Sequence, residues 1–461
     1  DGRLDLRIQR DGALRRAYRA HTLLFCMAAV LLCWLPHLAV SYPASMNSDT
    51  QSQFDQILGL LPWSKHHPTL LAFFLLGTTR LGHALGSGNA GLFAYVLVQA
   101  VFAAAVIGYS QWIMRRLCAP VWLRALSLAL CAIAPVYCDN ITVILKDVPY
   151  SYAMLLMLCE MVRQRFLEKE SDGFSAGFVL RMTLSAFLML RMRPNGAMVW
   201  IPICAALFLG TRGRKRRAAI AAVAALPFLL GAGFDAAFDA RFHPQAASLG
   251  EALSLPFQQT ARCLLAYPDD VTESELRAVS AVLDVENGVP NYDPRLADPV
   301  KDTSSPDLSG KLGPYMKAWL SMGIRHPGVY LDAWLNMIYG YFYPSDSNTI
   351  ACLTLNSPDA GGVALRQSPA LSDARLELHN RIYFTLRRIP GVGWLFYVDS
   401  VVWVFLLLLA ALVLRDGLRA AVPYMFFFGT LGICLLSPKS GEIRYLMPIL
   451  YILPVMLGAA L

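Results

Sequence analysis

Residues 21–42 read HTLLFCMAAVLLCWLPHLAVSY, and the next stretch, residues 43–56, reads PASMNSDTQSQFDQ. The first stretch contains no Asp, Glu, Lys or Arg, whereas the second is almost entirely polar. An α-helix rises about 1.5 Å per residue, so about 20 apolar residues cross a hydrocarbon layer about 30 Å thick. The first stretch therefore predicts a membrane-spanning helix, and the second predicts a loop at its far end.

The rest of the chain is also rich in apolar residues and poor in charged ones. Of its 461 residues, 56% are hydrophobic and only 16% are charged, whereas an ordinary soluble domain has about 25% charged residues. This composition excludes a disordered protein, a nucleic-acid-binding protein and a typical cytosolic enzyme, and it predicts an all-α polytopic membrane protein. We count about ten segments long enough to span a membrane. They lie at roughly 21–42, 91–113, 121–138, 148–164, 175–191, 195–211, 217–236, 395–414, 420–437 and 445–461.

The apolar run 68–85 is excluded from this count because it is short and contains Arg80 and His83. It is better interpreted as a helix lying at the membrane interface. With that choice, five basic clusters fall on one side, which the positive-inside rule assigns to the cytoplasm. The clusters are Arg15, Arg16 and Arg19; Arg115, Arg116 and Arg124; Arg163, Arg165 and Lys169; residues 212–217; and Arg415 and Arg419. Both termini are then cytoplasmic, and we expect a multi-pass protein of the bacterial cytoplasmic membrane.

Three parts follow from this topology. Residues 1–236 form an N-terminal transmembrane module with seven spans, the first outer loop and the juxtamembrane helix. Residues 237–394 are too long for a connection and predict an extracytoplasmic, mainly helical domain, and residues 395–461 carry the last three spans. Cys263 and Cys352 lie in the outer domain and would pair in an oxidising compartment; otherwise they are buried free thiols.

Polar clusters border the predicted spans on the outer face. Ionisable residues at such positions are costly, so each cluster is either a functional site or an interface anchor. A carboxylate there can accept a proton from an acceptor hydroxyl, and nearby Lys or Arg side chains can hold a phosphate. The clusters lie at residues 42–56, 65–68, 139–150, 191–196 and 437–448.

The order of these motifs resembles one enzyme superfamily. Asp49 follows the first span, His67-Pro68 precedes the interface helix, Lys146-Asp147 forms a charged pair, and Arg444-Tyr445 precedes Pro448 by a short interval. This arrangement is similar to that of the GT-C integral membrane glycosyltransferases, which include the protein O-mannosyltransferases and the aminoarabinose transferase of lipid A. The resemblance implies that Asp49 is the catalytic base and that Asp147 or Asp139 is a second acidic residue.

The resemblance also implies the partners. The donor would be a polyprenyl-phosphate-linked sugar, and the acceptor a cell-envelope glycan, lipid or protein at the outer face of the membrane. The chain departs from the mannosyltransferases in having Ser48-Asp49 instead of an Asp-Glu pair, and in the position of its outer domain. We predict Asp49 and Asp147 as catalytic. The predicted donor-phosphate and substrate ligands are Lys146, Arg193, Arg444, Tyr445, His67, Glu442, Gln258, Gln259 and Arg262.

No metal site is predicted, although a divalent ion stays open as a cofactor. His66 and His67 together with Asp49 and Asp147 have suitable ligand types, but they match no spacing rule.

Two other functions remain open. The first is a transporter or flippase of lipid-linked sugars, although a transporter should place charges near the bilayer midplane. The second is a polysaccharide ligase or polymerase with a polyprenyl-diphosphate donor and an Arg/His pair, for which Arg325-His326 or His379 with Arg381 would serve.

Overall fold

The computed structural model describes residues 12–168, 174–247, 249–343, 397–418 and 427–460, with short pieces between 374 and 390 and at Tyr424. These residues are almost entirely helical, which confirms the all-α class. The helices of the first half are α1 (Ala13–Ala20), α2 (Thr22–Val40), α3 (Ser48–Ile57), α4 (Thr69–Ala84), α5 (Gly88–Arg116), α6 (Val121–Ile133), α7 (Pro135–Thr142), α8 (Asp147–Val162), α9 (Ala176–Met192), α10 (Ala197–Gly210) and α11 (Arg214–Phe242).

The second half has shorter helices followed by a final apolar group. They are α12 (Ser254–Ala266), α13 (Glu273–Ser280), α14 (Asp298–Lys301), α15 (Leu312–Arg325), α16 (Pro327–Phe342), α17 (Val398–Asp416), α18 (Phe427–Leu435) and α19 (Ile443–Ala460). A single π-helical turn, Arg163–Leu167, continues α8, and a 3-10 turn, Pro194–Gly196, joins α9 to α10.

The predicted number of spans was too high for the described residues. Among the described residues, each predicted span overlaps at least one helix, but only α2, α5 and α11 are long and apolar enough to cross a membrane. A fourth crossing would require α6 and α7 to act as one span, although they are bent by 41°. The difference arises because several apolar segments form short helices: α8, α9 and α10 have 16, 17 and 14 residues, and a span needs about 20.

The run 68–85 forms a separate helix, α4, which packs against α5. Its Leu70, Leu71 and Leu75 are buried, whereas Phe73 and Phe74 are exposed. One helix face is thus packed and the other is apolar and uncovered. This is the arrangement expected of the predicted interface helix.

Helix α8 is the centre of the larger of two apolar cores. It packs against α5, α9 and α19, and every residue of α8 except Leu156 is buried. A second, smaller core lies within α12–α16 and includes Phe257, Val279 and Tyr315. Helix α16 also joins the larger core through Tyr341 and packs against α17. The smaller core lies in the predicted outer domain; its side of the membrane stays a prediction.

Two very short strands bring distant loops together. Strand β1 (Ser45–Met46) pairs in parallel with β2 (Val143–Ile144), with Ser45 opposite Val143 and Met46 opposite Ile144. The side chain of Gln99 fixes β2 by donating to the carbonyls of Ile141 (3.0 Å) and Val143 (2.9 Å). Because parallel strands advance in the same direction, the residues that follow β1 and β2 leave at the same end. Those residues begin α3 and α8.

Candidate active site

Asp49 lies in the first turn of α3, directly after β1. The helix is capped by Asn47, whose side-chain oxygen accepts a hydrogen bond from the Thr50 backbone N–H at 3.0 Å. The Thr50 hydroxyl donates to the Ile144 carbonyl at 2.6 Å, which ties α3 to β2. Because Asn47 is the cap, the Asp49 carboxylate is not needed for capping and can face the neighbouring loops.

Two cations from remote parts of the sequence face this carboxylate. Lys146 Nζ lies 2.8 Å from Asp49 Oδ2, and a guanidinium nitrogen of Arg444 lies 3.6 Å from the same oxygen. All three side chains are partly exposed, at 28% for Asp49, 18% for Lys146 and 27% for Arg444. The three groups therefore form a charged cluster that a ligand can reach, and we call it the Asp49 cluster.

The charged groups around Asp49 determine the protonation states of Asp49 and of the nearby His67. Burial alone would raise the pKa of Asp49, but Lys146, Arg444 and His67 outweigh it and hold that pKa well below its usual value. Burial, together with the Lys146 and His66 charges, lowers the pKa of His67 to about 4, although Asp49 opposes this. Near neutral pH the cluster thus contains an ionised carboxylate and a neutral imidazole, so His67 would contact a donor as a neutral group.

A second ion pair lies beneath the cluster. Arg193 Nε is 2.7 Å from Asp147 Oδ1, and the Asp147 side chain is completely buried. The Arg193 guanidinium lies 4.4 Å from the centre of the Tyr445 ring and 5.8 Å from that of Tyr150. Asp147 and Arg193 therefore connect the start of α8, the end of α9 and the start of α19. Asp147 directly follows Lys146 in the sequence, but the pair is much less exposed than Lys146 and Arg444.

The loop before α19 is fixed by α16. The Gly340 backbone N–H donates to Ser440 Oγ at 2.9 Å, and the Tyr341 hydroxyl donates to Ser437 Oγ at 3.1 Å. The backbones of Gly340 and Gly441 approach so closely that a Cβ on Gly340 would lie 2.9 Å from Gly441 Cα. Gly441 has a φ of +65°, which glycine adopts without strain. These contacts determine where the following residues, up to Arg444, are placed.

Residues 62–460 match the model of DUF6020, which is described as a family of unknown function. The chain belongs to the DUF6020 family. No curated protein and no solved structure shows a significant match to the chain. Within this DUF6020 protein, Lys146, Asp147, Arg193 and Arg444 lie in the matched range, whereas Asp49 precedes it.

Most of the predicted site residues of the DUF6020 chain lie in this region. Asp49, Lys146 and Arg444 are in direct contact, Asp147 and Arg193 support them, and Tyr445 lies between the two arginines, with the Arg444 guanidinium 5.6 Å from its ring centre. Glu442 lies 2.8 Å from Lys439 and 3.7 Å from Arg444. Lys439 was not assigned from the sequence, although its spacing of three residues from Glu442 could have indicated the pair.

Three predicted substrate ligands have partners elsewhere. Gln258 is fully buried and donates to the backbone carbonyls of Asp293 (3.1 Å) and Leu296 (2.5 Å). Gln259 donates to the Tyr330 carbonyl at 3.1 Å and accepts from the Trp319 indole. Arg262 pairs with Asp332. Leu296 forms a β-bridge with Lys439, which connects the backbone near Gln258 to the loop before α19.

The other candidates also have defined partners. The second acidic candidate, Asp139, is buried 3.6 Å from the His37 ring. Of the Arg/His pair proposed for a ligase, Arg325 binds Glu275 at 2.6 Å and His326 faces Asp270 at 3.4 Å. Arg381 pairs with Glu377 at 2.5 Å, whereas His379 and Cys352 lie outside the described residues. These contacts leave the Asp49 cluster as the strongest candidate site in the DUF6020 chain.

Metal binding by His66 and His67 with Asp49 and Asp147 was considered from their residue types. Among the residues that the structure describes, no group of three or more His, Cys, Asp or Glu side chains could hold a metal ion. The His66 ring instead stacks edge-on against His67, with ring centres 4.5 Å apart, and faces Glu251 at 3.9 Å.

Proposed function

We propose that the protein is a membrane glycosyltransferase that moves a sugar from a polyprenyl-phosphate-linked donor to a cell-envelope acceptor. The observation that supports this most is the contact of the Asp49 carboxylate with Lys146 (2.8 Å) and Arg444 (3.6 Å). A carboxylate such as Asp49 can accept a proton, and the side chains of Lys146 and Arg444 can hold a phosphate. Three segments far apart in the sequence supply them.

In the proposed reaction, the acceptor oxygen forms a bond to the anomeric carbon of the sugar while the bond from that carbon to the phosphate oxygen breaks. The acceptor proton passes to Asp49. The leaving polyprenyl phosphate gains negative charge, and Lys146 and Arg444 stabilise it at the point where this charge develops. Atoms and charges balance without a metal or a further reactant.

The donor would also activate the base. A carboxylate with a strongly lowered pKa is ionised but is a weak proton acceptor. An arriving phosphate competes with Asp49 for Lys146 and Arg444 and adds a negative charge of its own, so the proton affinity of Asp49 rises. The carboxylate then becomes an effective base only when the donor is in place. This order of events would limit the wasteful transfer of sugar to water.

Asp147 and Arg193 take a supporting role in this proposal. Their exposed fractions are 0% and 10%, so a donor phosphate has little access to them. An ion pair at this depth leaves one charge uncompensated if either partner is removed. Although the sequence resemblance suggested Asp147 as catalytic, its burial favours a positioning role in which it holds Arg193, and with it Tyr445, next to Arg444.

The membrane orientation follows from how the charges are distributed. The basic clusters lie at one end of α2, α5 and α11, which could each cross a membrane, and Asp49 follows the other end of α2. The contact of Lys146 with Asp49 then requires the shorter helices between α5 and α11 to reach that same end. The positive-inside rule supports an extracytoplasmic position for the Asp49 cluster at the bacterial cytoplasmic membrane. A polyprenyl-phosphate donor fits this position because its chain stays in the bilayer while its headgroup reaches the cluster.

The test is sugar transfer by the purified protein in lipid vesicles, with Asp49→Asn compared with wild type. General base catalysis contributes about 10²–10⁴-fold, so the variant should fold normally and lose at least about 100-fold in rate. Asp55→Asn is the matched control, since Asp55 lies on the same helix and accepts from Gln51 at 2.9 Å. Its rate should stay within about twofold of wild type, because it has no contact with the cluster.

Transfer at the wild-type rate by Asp49→Asn would refute the assignment. Movement of the intact lipid-linked sugar across the bilayer, with no transfer, would instead identify a flippase.

A further inference from the structure

A second charged site lies at the opposite end of the bundle from the Asp49 cluster. Two guanidinium groups flank Tyr18 on α1: Arg115 lies 5.7 Å and Arg124 5.8 Å from the ring centre. Arg124 also donates to the Tyr18 hydroxyl. Arg116, the next residue of α5, instead lies over Trp112 at 5.5 Å. We call Tyr18, Arg115 and Arg124 the Tyr18 site.

The arginines of this site are held in place by neutral acceptors. Arg115 donates to the backbone carbonyls of Tyr18 and Arg19 and to the Thr22 hydroxyl, and Arg124 Nε donates to the Ala119 carbonyl at 3.0 Å. In the described part of the chain, no carboxylate forms an ion pair with Arg115, Arg116 or Arg124. Between residues 12 and 138 the sequence contains only two acidic residues, Asp49 and Asp55, and α3 carries both. The positive charge is therefore pre-arranged and not neutralised from within these helices.

The surroundings of the site are apolar and uncovered. Trp122 is 61% exposed and Val121 is 72% exposed, and both lie at the start of α6 close in sequence to Arg124. Leu14, four residues before Tyr18 on α1, is 74% exposed. Tryptophan beside arginine and exposed aliphatic side chains is typical of a surface at the level of lipid headgroups. A soluble anion would gain nothing from these apolar groups, whereas a lipid would contact both parts.

We propose that the Tyr18 site binds the phosphate headgroup of an anionic phospholipid in the membrane leaflet opposite the Asp49 cluster. The guanidinium groups of Arg115 and Arg124, which both lie over Tyr18, supply the paired donors that suit a phosphate, and Trp122, Val121 and Leu14 contact the adjoining glycerol and acyl region. Because α2 starts next to this site and leads directly into the first loop, a lipid bound here would fix the cytoplasmic end of that helix. The inference needs a membrane but does not depend on the proposed glycosyl transfer.

The experiment titrates the full-length purified protein in a neutral detergent with short-chain phosphatidylglycerol and follows its melting temperature. Short-chain phosphatidylcholine and glycerophosphoglycerol, which has the headgroup but no acyl chains, are titrated in parallel. We expect phosphatidylglycerol to bind more tightly than both. A basic residue near an anionic lipid contributes roughly fivefold in affinity, so Arg115→Gln with Arg124→Gln should weaken binding by about 25-fold.

The matched control is Arg212→Gln with Arg214→Gln, which removes the same charge from the same end of the molecule but outside the Tyr18 site. It should change the affinity by less than about threefold, because exposed charges beyond a screening length of about 8–10 Å contribute little. Equal weakening by both double variants would show only a diffuse basic face and would overturn the proposal. Equally tight binding of glycerophosphoglycerol would overturn it too, since the site would then be a phosphate site without lipid contacts.

If the double variant does not fold, Arg124→Gln alone provides the test, since Arg124 makes fewer hydrogen bonds to α1 and α2 than Arg115 does. It should then lose about fivefold in phosphatidylglycerol affinity, and an unchanged affinity would contradict the proposal.

Discussion

At the scale of single residues, Lys146 is the side chain that controls Asp49. It is the nearest cation to the carboxylate. Of the charged groups around Asp49, it lowers the pKa of that carboxylate most. The Arg444 guanidinium is farther away and is shared with Glu442 at 3.7 Å. The behaviour of Asp49 should therefore respond more strongly to the loss of Lys146 than to any other change in the cluster.

Lys146→Met should shift the acid side of the pH–activity profile. A lowered pKa keeps Asp49 of the free enzyme ionised down to unusually low pH, so that it can act as the base once the donor is bound. Removing the ammonium group raises that pKa, so kcat/KM should begin to fall at a higher pH than in wild type. The measurement is the pH dependence of kcat/KM for the donor, because this dependence reports the pKa values of the free enzyme.

The matched control for this prediction is Lys439→Met, since Lys439 pairs with Glu442 and not with Asp49. Its acid limb should coincide with that of wild type. An unshifted acid limb in Lys146→Met would mean that Asp49 is not the group whose ionisation limits the rate.

Sequence reasoning identified the residues of the Asp49 cluster because unpaired charges beside apolar segments are rare. Gln258 and Gln259, predicted as substrate ligands, donate to backbone carbonyls in the structure. In a sequence, a polar side chain on a helix looks the same whether it faces a ligand or a backbone carbonyl. Sequence reasoning also left unassigned the buried Glu160, which binds Arg181 Nε at 2.5 Å and accepts from the Tyr109 hydroxyl at 2.7 Å. Two ion partners that are tens of residues apart along the chain leave no short-range pattern in the sequence.

At the scale of elements, α8 and α9 are joined by a carboxylate–arginine pair at each end. Asp147 pairs with Arg193 at one end, and Glu160 pairs with Arg181 at the other. The two carboxylates are thirteen positions apart on α8, or about 20 Å along the helix axis. Because both pairs must fit at once, they resist sliding of one helix along the other. This fixes the start of α8, and with it Lys146, relative to the end of α9.

The strand pair β1–β2 could not be predicted, because two-residue strands are too short to show alternation. Sequence reasoning nonetheless located α2, α5 and α11, since long apolar runs are strong signals. It overestimated the number of spans because hydropathy does not reveal where a helix stops. In the region 121–138, the change from α6 to α7 occurs at Ala134-Pro135, where proline disfavours a continuous helix.

Gly340→Ala should disturb the loop that places Arg444. The new Cβ would lie 2.9 Å from backbone atoms of Gly441, and such overpacking costs about 1–3 kcal/mol. Because backbone atoms cannot rotate away, the loop must shift, and donor affinity should fall together with the melting temperature. Thermal unfolding and the donor KM are the two measurements.

Gly328→Ala is the control for this prediction, because it lies on the same helix and a Cβ there meets nothing within 4 Å. It should be neutral or stabilise by up to about 1 kcal/mol. If Gly340→Ala behaved like Gly328→Ala, α16 would not determine the position of the loop.

At the scale of the whole molecule, the structure separates two kinds of charge along the direction of its long helices. Mixed acidic and basic groups lie where α2 ends and where α8 and α19 begin, whereas arginine-rich groups lie where α2 begins and α5 ends. Arg216, before the body of α11, stacks over Phe174 near the start of α9 at 5.7 Å, so it belongs to the arginine-rich end. This separation is what a protein with one reactive face and one cytoplasmic face requires.

Helix α11 offers the sharpest test of that orientation. Its 29 residues span about 44 Å, enough to cross the bilayer. Lys215 lies at its start, and near its end Asp239 pairs with Lys65 at 2.6 Å, in the loop that continues to His67.

In a cysteine-free variant, single cysteines at Asp269 and at Lys215 should report opposite sides of the membrane. A membrane-impermeant maleimide applied to intact cells should label position 269 fully and position 215 only after permeabilisation. Equal labelling of both positions before permeabilisation would show that α11 does not cross, and the Asp49 cluster would then lose its assignment to the outer face.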